Sequence, residues 1–345
     1  MTGHRRNAIT SEVIIVGGGM AGLSAAIYLG RAEREVLVID NEKSMARWEP
    51  HVENFLGFPE GIGGSELLKL GRRQARKTGA RFANDEIMKG SGKINGFVLH
   101  GNAGNYRARR VLLSTGAFHI PPEIEGVSDC LGHSMFYCKD CDGFRVRGQR
   151  IAIYGRENEA VRYALGMLFY SPSVIIVTDG KKPRWDRTRA KWVQEYGIAV
   201  YSKRLSGIRR EGCKLKALKF GRDAEVKVEA LFTTRGDIYL NRLAKSFGAD
   251  LDADGQVLVD DQMRTSAKGI YAAGCVTPAN CQMIIAAGEG ATAAQAINND
   301  LFEESLATHS LRRFREKQLK TWRETGKAPD RKRLSKKILT KDFAR

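Results

Sequence analysis

The sequence predicts an α/β protein in which apolar strands alternate with helices, followed by a basic helical extension. Two segments, one beginning at residue 12 and the other at residue 151, each combine a short apolar strand, a glycine turn and a helix. The 345 residues suffice for two compact domains with separate cores. With 37 glycines and 42% apolar residues, the composition suits an α/β protein with glycine-rich turns.

The first segment, EVIIVGGGMAGLSAAIYLGRAEREVLVID (12–40), has the pattern of a strand, a helix and a second strand around a dinucleotide site. Gly17 permits the tight turn, Gly19 lets a pyrophosphate approach the backbone, and Gly22 lets the helix pack closely on the strand. The start of the helix directs backbone N–H groups at the phosphates. Asp40 ends the second strand, where its carboxylate can accept hydrogen bonds from an adenosine ribose. The motif predicts a dinucleotide site but does not by itself separate FAD from NAD.

Cys138 and Cys141 form a close C-x-x-C pair within FYCKDCDGF (136–144). Such a pair closes a small disulfide ring or supplies half of a zinc site. The sequence contains no second C-x-x-C or H-x-x-x-H to complete a zinc site, so we expect redox chemistry and no metal. Asp142 follows directly and could relay protons to and from the pair, although it could also be a turn residue before Gly143.

The order of these motifs, together with ENFLGFP (53–59), STGA (114–117) and GIYAAG with GEGATAAQAI (269–297), resembles the low-molecular-weight thioredoxin reductases over roughly residues 12 to 300. The resemblance implies a swivelling homodimer of two three-layer, Rossmann-like dinucleotide-binding domains, the second inserted into the first. The predicted domains are an FAD-binding domain (1–120 and 248–302), an inserted domain with the C-x-x-C pair (121–247) and a basic helical or disordered tail (303–345).

The resemblance also implies a role for each residue of the site. Cys141 would face the flavin, Cys138 would exchange with the disulfide of a thioredoxin-like protein, and Asp142 would be the acid–base group. Where the family usually has Gly-Asp this chain has Gly274-Cys275, which weakens a contact to the flavin ribityl chain. The residues expected to contact FAD are Gly17, Gly19, Ala21, Gly22, Asp40, Asn54, Thr115, Gly116, Gly274, Cys275, Gln282 and Met283.

Cys275 and Cys281 flank the expected flavin region, and two interpretations stay open. They could form a second thiol relay, or they could serve as small packing residues, which is the interpretation we favour. We expect no structural disulfide framework, because the chain has no secretory signal and its predicted location is cytoplasmic.

The second glycine motif, GRENEA (155–160), departs from the G-x-G-x-x-A with which the family binds NADPH. Glu157 stands where the backbone should meet the pyrophosphate, and like charges about 4 Å apart repel by roughly 4 kcal/mol at an intermediate dielectric. Asp179 would repel a 2′-phosphate. The basic residues of TDGKKPRWD (178–186) could still meet a phosphate, but they are also typical of a solvated loop. The sequence therefore predicts that NADPH is not used efficiently.

Two other electron sources follow from family members described as independent of pyridine nucleotides. The first is an acidic ferredoxin, which suits the net charge of +18. Transfer of two electrons is favourable by roughly 6 kcal/mol, because the reduction potential of a ferredoxin, near −400 mV, lies about 130 mV below that of thioredoxin. A second FAD could instead stack on Trp48 or Trp185, although ordinary packing also explains either ring.

Other functions remain open at this point. They are an NADPH-dependent thioredoxin reductase with a divergent site, a flavin thiol oxidase that uses O₂, and a non-catalytic flavin-fold protein whose basic tail recruits an acidic partner.

The tail from His309 onward contains 14 Lys and Arg residues against 4 Asp and Glu residues. Its apolar residues fall on one stripe of a helix. We expect no membrane span, because the sequence has no 18 consecutive residues that are all apolar. A nucleic-acid partner is not expected either, since no nucleic-acid-binding motif is present. The residues of the stripe are Leu311, Phe314, Leu319 and Trp322.

Overall fold

The computed structural model describes residues 8–221 and 224–327. Its strands, in chain order, are β1 (Ile9–Val16), β2 (Val36–Asp40), β3 (Arg81–Asn84), β4 (Ile87–Ser91), β5 (Phe97–Gly101), β6 (Asn105–Leu113), β7 (Ala117–His119), β8 (Met135–Phe136), β9 (Ile151–Tyr154), β10 (Val174–Val177), β11 (Ala199–Tyr201), β12 (Gly207–Glu211), β13 (Lys214–Phe220), β14 (Ala224–Lys227), β15 (Ala230–Thr233), β16 (Asp237–Tyr239) and β17 (Ile270–Ala272). Its helices are α1 (Met20–Arg31), α2 (Gly64–Lys77), α3 (Lys139–Asp142), α4 (Asn158–Met167), α5 (Arg187–Glu195), α6 (Arg242–Ser246), α7 (Met283–Ala307) and α8 (Ser310–Thr325).

The chain divides into two compact units. The first unit consists of the described residues up to Arg47, Gly64–Ala117, and the described residues from Tyr239 onward. The second unit consists of Trp48–Gly63 and Phe118–Ile238. Each unit has its own sheet with parallel strands at its centre and its own apolar core, which confirms the predicted α/β class.

The first unit is built on a seven-stranded sheet in the order β3-β2-β1-β6-β5-β4, with β17 also pairing with β6. Strands β3, β2, β1, β6 and β17 are parallel, whereas β4 and β5 are antiparallel. Helices α1 and α7 pack against each other through small residues, so that α1 covers the strands closely. The buried residues of this contact include Ala21, Ala25, Ala293 and Ala294.

The second unit contains a five-stranded parallel sheet in the order β11-β10-β9-β15-β8 and an antiparallel sheet of β12, β13 and β14. The buried strand β9 ends at the second glycine motif, and α4 follows it. Neighbouring parallel strands must be joined by a crossover connection, and α4 forms part of the one between β9 and β10. The strand and helix predicted from residue 151 onward therefore account for this part of the sheet.

The observed boundaries differ from the predicted domains at the segment 48–63, which groups with the second unit instead of the first. Paired hydrogen bonds between Val52 and Ile62, of 2.8 and 2.9 Å, close this segment into a loop. Glu53 in the loop forms an ion pair with Arg145, 3.8 Å apart. These contacts join residues far apart in the chain, so the local pattern of the segment gives no sign of them.

The predicted helical tail is confirmed as far as residue 327, and its remainder lies outside the described residues. Helix α8 keeps its apolar stripe largely in solvent, with Leu311, Leu319 and Trp322 exposed and Phe314 half-buried. Among the described helices, none is both long enough and apolar enough to cross a bilayer.

Glu304, near the end of α7, is the acidic member of a largely buried charge cluster with Arg109 and Arg110. It accepts hydrogen bonds from Arg109 at 2.7 Å and from Arg110 at 2.5 Å, and the Arg110 side chain is almost completely buried. Burial opposes ionisation of Glu304, but the two guanidinium groups outweigh it and lower the pKa of this carboxyl. The stability that this ion pair adds is therefore present above the unfolded-state pKa and is lost as the pH falls through the lower folded-state value.

We predict that Glu304→Ala lowers the free energy of unfolding by about 3 kcal/mol at pH 7, because it leaves the buried guanidinium of Arg110 without its carboxylate. The loss should shrink as the pH falls below 4. Urea denaturation at pH 7 and at pH 3.5 measures both values. Glu303→Ala, at the exposed neighbouring position, should change stability by less than 0.5 kcal/mol, roughly the range of surface substitutions. An equal loss in both variants would contradict the role of the cluster.

Candidate functional site

The turn between β1 and α1 in the first unit, residues 17–22, has the shape that its glycines predict; we call it the dinucleotide turn. Gly17 has a φ of 110°, and a Cβ on Gly22 would overlap the carbonyl oxygen of Gly17. A Cβ on Gly19 would instead meet nothing nearer than Ser44 Oγ, at 3.5 Å. Gly19 is the N-cap of α1 and brings no side-chain cap, so the first amides of the helix face open space.

Asp40 ends β2 and lies beside the dinucleotide turn. Its Oδ1 accepts the backbone N–H of Gly18 at 3.1 Å, and its Oδ2 accepts a hydrogen bond from Arg72 at 2.6 Å. Oδ1 also accepts the backbone N–H of Glu42 at 3.2 Å, so the carboxylate is held firmly in place and Oδ2 keeps one further lone pair for a hydroxyl donor. Arg72 lies on α2, and no sequence motif indicated that it would contact Asp40.

The loop between β17 and α7 lies against the same turn. A Cβ on Gly274 would be 3.0 Å from that of Ala21, and Met283, the first residue of α7, packs into a cluster with Met20 and Leu23. The Gly274 N–H donates to Glu289, which is thus a loop-positioning residue that the sequence analysis missed.

Four other residues predicted to contact the cofactor lie in different local environments. Thr115 donates its hydroxyl to the carbonyl of Leu240 at 2.8 Å, and Gly116 has a φ of 75°. Gln282 is the N-cap of α7. Asn54 is exposed and belongs to the second unit. The cofactor contacts of these residues stay predictions.

Cys275 and Cys281 are joined by a disulfide, with their Cα atoms 4.7 Å apart. The interpretation of these residues as small packing side chains is therefore wrong. Their spacing of six residues matches no motif, and only the path of the loop before α7 brings the two sulfurs together.

The second unit holds the other disulfide, between Cys138 and Cys141. Cys138 is the N-cap of the short helix α3, and the backbone N–H of Cys141 donates to its sulfur at 3.0 Å. Both residues are half-buried. After reduction, this amide hydrogen bond stabilises a thiolate on Cys138 more than a thiol, which favours Cys138 as the nucleophile of the pair.

Asp142 follows the pair and is buried. Burial raises the pKa of its carboxyl, although Arg145 opposes this by donating a hydrogen bond at 3.2 Å. A carboxyl with a raised pKa exchanges its proton closer to neutral pH, as an acid–base group beside a dithiol requires. The proton-relay role of Asp142 stays a prediction.

Glu49 is a second titratable carboxyl near Asp142, and no sequence motif indicated it. Burial and the charge of Asp142 raise the pKa of Glu49 to about 7. Its Oε1 is buried and finds no hydrogen-bond donor among the residues that the structure describes. Because Glu49 lies in the 48–63 segment, almost ninety residues before the C-x-x-C pair, only the fold brings the two carboxyls together.

The second glycine motif contains a carboxylate, that of Glu157, at the start of α4. Glu157 is the N-cap residue of α4, and its Oε1 lies 3.4 Å from Arg156 and 3.6 Å from Arg184. Asp179 accepts hydrogen bonds from the Tyr154 hydroxyl at 2.7 Å and from the Leu205 N–H at 2.8 Å. One of the basic residues expected to meet a phosphate is therefore paired with the carboxylate that would repel it.

The two tryptophans considered for a second flavin differ. Trp185 packs against the core of the second unit, which favours the packing interpretation. Trp48 is 54% exposed, with its ring centroid 5.8 Å from that of Phe118. Within residues 8–221 and 224–327, no group of three or more His, Cys, Asp or Glu side chains is arranged to hold a metal.

A protein-family model described as pyridine nucleotide-disulphide oxidoreductase matches residues 11–298. The chain is similar to the thioredoxin reductase of Treponema pallidum (strain Nichols), with 33% identity over 294 residues, 83% of this chain and 95% of that protein. It is also 33% identical over 302 residues to the thioredoxin reductase of Streptomyces coelicolor, covering 82% of this chain and 91% of that one. Among solved structures, HlmI superposes with a TM-score of 0.81 at 26% identity, covering 90% of this chain and 98% of HlmI.

The raised pKa of Glu49 has a measurable effect on stability. Because its folded-state pKa of about 7 lies above the unfolded value of 4.5, its contribution is complete below the unfolded value and is lost as the pH rises through 7. We predict that Glu49→Gln, which cannot ionise, is more stable than the parent by about 2 kcal/mol at pH 8 and by far less at pH 5.

Denaturation of the oxidised protein at both pH values tests this. Glu60→Gln is the matched control, since Glu60 is exposed on the same segment. A gain for Glu49→Gln that is the same at pH 5 and pH 8 would show that Glu49 is ionised throughout.

Proposed function

This chain belongs to the pyridine nucleotide-disulphide oxidoreductase family and is an oxidoreductase that acts on sulfur groups. We propose that it is an FAD-dependent, thioredoxin-reductase-like enzyme that passes two electrons between flavin and the disulfide of a partner protein. The observation that carries this proposal is the Cys138–Cys141 disulfide with the buried carboxyl of Asp142 beside it.

The residues of the first unit fit a dinucleotide cofactor, and the family and its thioredoxin reductases imply FAD. The dinucleotide turn leaves the backbone at Gly19 open to a pyrophosphate, and the uncapped first amides of α1 suit its charge. Asp40 keeps acceptor capacity for a ribose hydroxyl. When bound, FAD would supply a carrier that accepts electrons singly or in pairs. The residues proposed to hold it are Gly17, Gly19, Ala21, Gly22, Asp40, Asn54, Thr115, Gly116, Gly274, Cys275, Gln282 and Met283.

The reduced pair performs the exchange with the substrate. The Cys138 thiolate attacks one sulfur of the substrate disulfide, forming a mixed disulfide and releasing one substrate thiolate. Cys141, deprotonated in turn, attacks Cys138 and releases the second substrate thiolate, so that the enzyme pair is oxidised and the substrate gains two electrons. Asp142 holds and transfers the protons that the two departing thiolates need.

The substrate class follows from this chemistry and from the relatives. A half-buried disulfide at the start of a short helix can reach only an accessible disulfide on a partner. Because the similar proteins of Treponema pallidum and Streptomyces coelicolor are thioredoxin reductases, a thioredoxin-like protein is the proposed substrate. The homodimer that the resemblance implies is also retained as a proposal.

The electron donor is proposed to be an acidic ferredoxin, because the inserted NADPH-type motif is compromised. Glu157 places a carboxylate at the N-terminus of α4, where the dipole of the helix would otherwise favour a phosphate, and it pairs with Arg156 and Arg184. The excess of 57 basic over 39 acidic residues favours an acidic donor protein. A second FAD stacked on the exposed Trp48 is the alternative donor.

We predict that reduced ferredoxin bleaches the flavin absorbance in an anaerobic titration, whereas NADPH and NADH at stoichiometric amounts do not. Glu157→Gly should strengthen NADPH binding by at least about tenfold, since it removes the carboxylate and frees two guanidinium groups. Glu159→Gln, an exposed position in the next turn, is the matched control.

Rapid stoichiometric bleaching of the parent protein by NADPH would overturn the donor proposal and favour an NADPH-dependent enzyme. More than one flavin per chain in the same sample would favour the second FAD.

We also predict that Asp142→Asn lowers the rate of disulfide reduction about 100-fold, because the amide cannot carry the proton, while the flavin content stays unchanged. Asp140→Asn, on the exposed side of α3, should retain the parent rate. Stopped-flow oxidation of the reduced enzyme by thioredoxin disulfide measures both. Parent-like kinetics in Asp142→Asn would assign proton transfer to another group.

A further inference from the structure

The disulfide between Cys275 and Cys281 lies in the loop 273–282, which connects β17 to α7. It belongs to the first unit, whereas the Cys138–Cys141 disulfide belongs to the second. The exchange reaction proposed above does not use it. The chain therefore carries a second sulfur pair whose role is unassigned.

Other bonds fix the backbone of the loop on the Cys275 side. The carbonyl of Thr277 accepts from Gln256, the carbonyl of Val276 accepts from the Val257 N–H, both at 2.8 Å, and the Thr277 hydroxyl donates to the Gly274 carbonyl at 2.8 Å. Val276 and Thr277 are completely buried or nearly so. On the other side, Cys281 is followed by Gln282, the N-cap residue of α7.

These anchors hold the Cys275 side of the loop without help from the disulfide. The bond closes a ring of only seven residues, and a ring of that size restricts the unfolded chain less than a long one. Both cysteines are half-buried, and Pro278 and Asn280 between them are exposed, so that an external thiol can approach from solvent. The pair thus has the features of an exchangeable bond.

The two sulfurs are not equivalent. Cys281 lies two residues before the start of α7, a helix of 25 residues whose N-cap residue, Gln282, brings no side-chain cap. The positive end of the helix dipole stabilises negative charge on a sulfur at this position and makes it the better leaving group. An attacking thiolate is therefore directed at the sulfur of Cys275.

We propose that Cys275 and Cys281 form a second redox-active couple that exchanges two electrons with an external dithiol. The thiolate of the dithiol attacks Cys275, the bond between Cys275 and Cys281 breaks, and Cys281 leaves as a thiolate. The second thiol of the reductant then attacks the mixed disulfide and releases Cys275. The reductant ends as a disulfide, and the two cysteines end as a dithiol with two protons taken from the reductant. This inference does not depend on the identity of the electron donor.

The test uses the full-length, cofactor-loaded protein with Cys138→Ser and Cys141→Ser, which leaves Cys275–Cys281 as the disulfide observed. The protein is treated with dithiothreitol or with reduced thioredoxin under native conditions, alkylated, and analysed by peptide mass spectrometry. The two free cysteines are internal standards, since Cys213 is exposed and should be alkylated in every sample, whereas Cys130 is buried and should not.

Two additional alkylated thiols, at Cys275 and Cys281, should appear on reduction and disappear when oxidised dithiothreitol is added. If only dithiothreitol produces them, the partner is a small dithiol; if thioredoxin also does, a dithiol protein can serve. Alkylation at both positions before any reductant is added would show that the cysteines are free thiols, and it would overturn the proposal. Alkylation only after denaturant is added would show a purely structural disulfide and would overturn it as well.

A thioredoxin that retains only its attacking cysteine should form a mixed disulfide with Cys275. The same protein with Cys275→Ser and Cys281→Ser added is the control and should form none. Attachment at Cys281 instead would contradict the assigned order of attack and would overturn the role of the α7 N-terminus.

Discussion

The close packing of α1 against α7 is the contact on which the first unit depends. Gly290 of α7 has no room for a side chain, because a Cβ there would overlap the carbonyl of Ala21, and Gly22 is limited in the same way by Gly17. This approach places the start of α7 and the loop before it directly beside the dinucleotide turn. Gly274, Met283 and the second disulfide take their positions from it. Larger residues at Gly290 or Gly22 would push α7 and the dinucleotide turn out of their present positions.

Three acidic residues illustrate how environment decides what a carboxyl does. Asp142, which follows the Cys138–Cys141 disulfide, and Glu49 are largely withdrawn from water, and burial raises the pKa of both. Glu157 is exposed and forms ion pairs with two guanidinium groups, those of Arg156 and Arg184. The same functional group thus has a raised pKa in one part of the second unit and forms exposed ion pairs in another.

Much of the architecture could be predicted because its signals are local. The turn at Gly17, the acid at Asp40 and the C-x-x-C pair each depend on residues within about thirty positions of one another. The features that sequence reasoning missed arise from contacts across the chain. Glu49 meets Asp142 only because the loop closed by Val52 and Ile62 belongs to the second unit. In the same way, Cys275 meets Cys281 because the loop before α7 turns back on itself, and neither contact leaves a periodic or motif signal.

The order of the units along the chain has a consequence for biosynthesis. All residues of the second unit have been made once Ile238 leaves the ribosome, whereas the first unit still lacks β17 and α7. Until residue 301 has emerged, the face of α1 that carries Ala25 and Leu29 has no Ala293 or Ile297 to cover it. The nascent chain therefore completes the unit with the exchange disulfide first and presents an uncovered apolar helix to chaperones. Truncation between 239 and 292 removes both Ala293 and Ile297 and leaves that helix face uncovered, so that such fragments should be recognised as unfolded although one of their two units is complete.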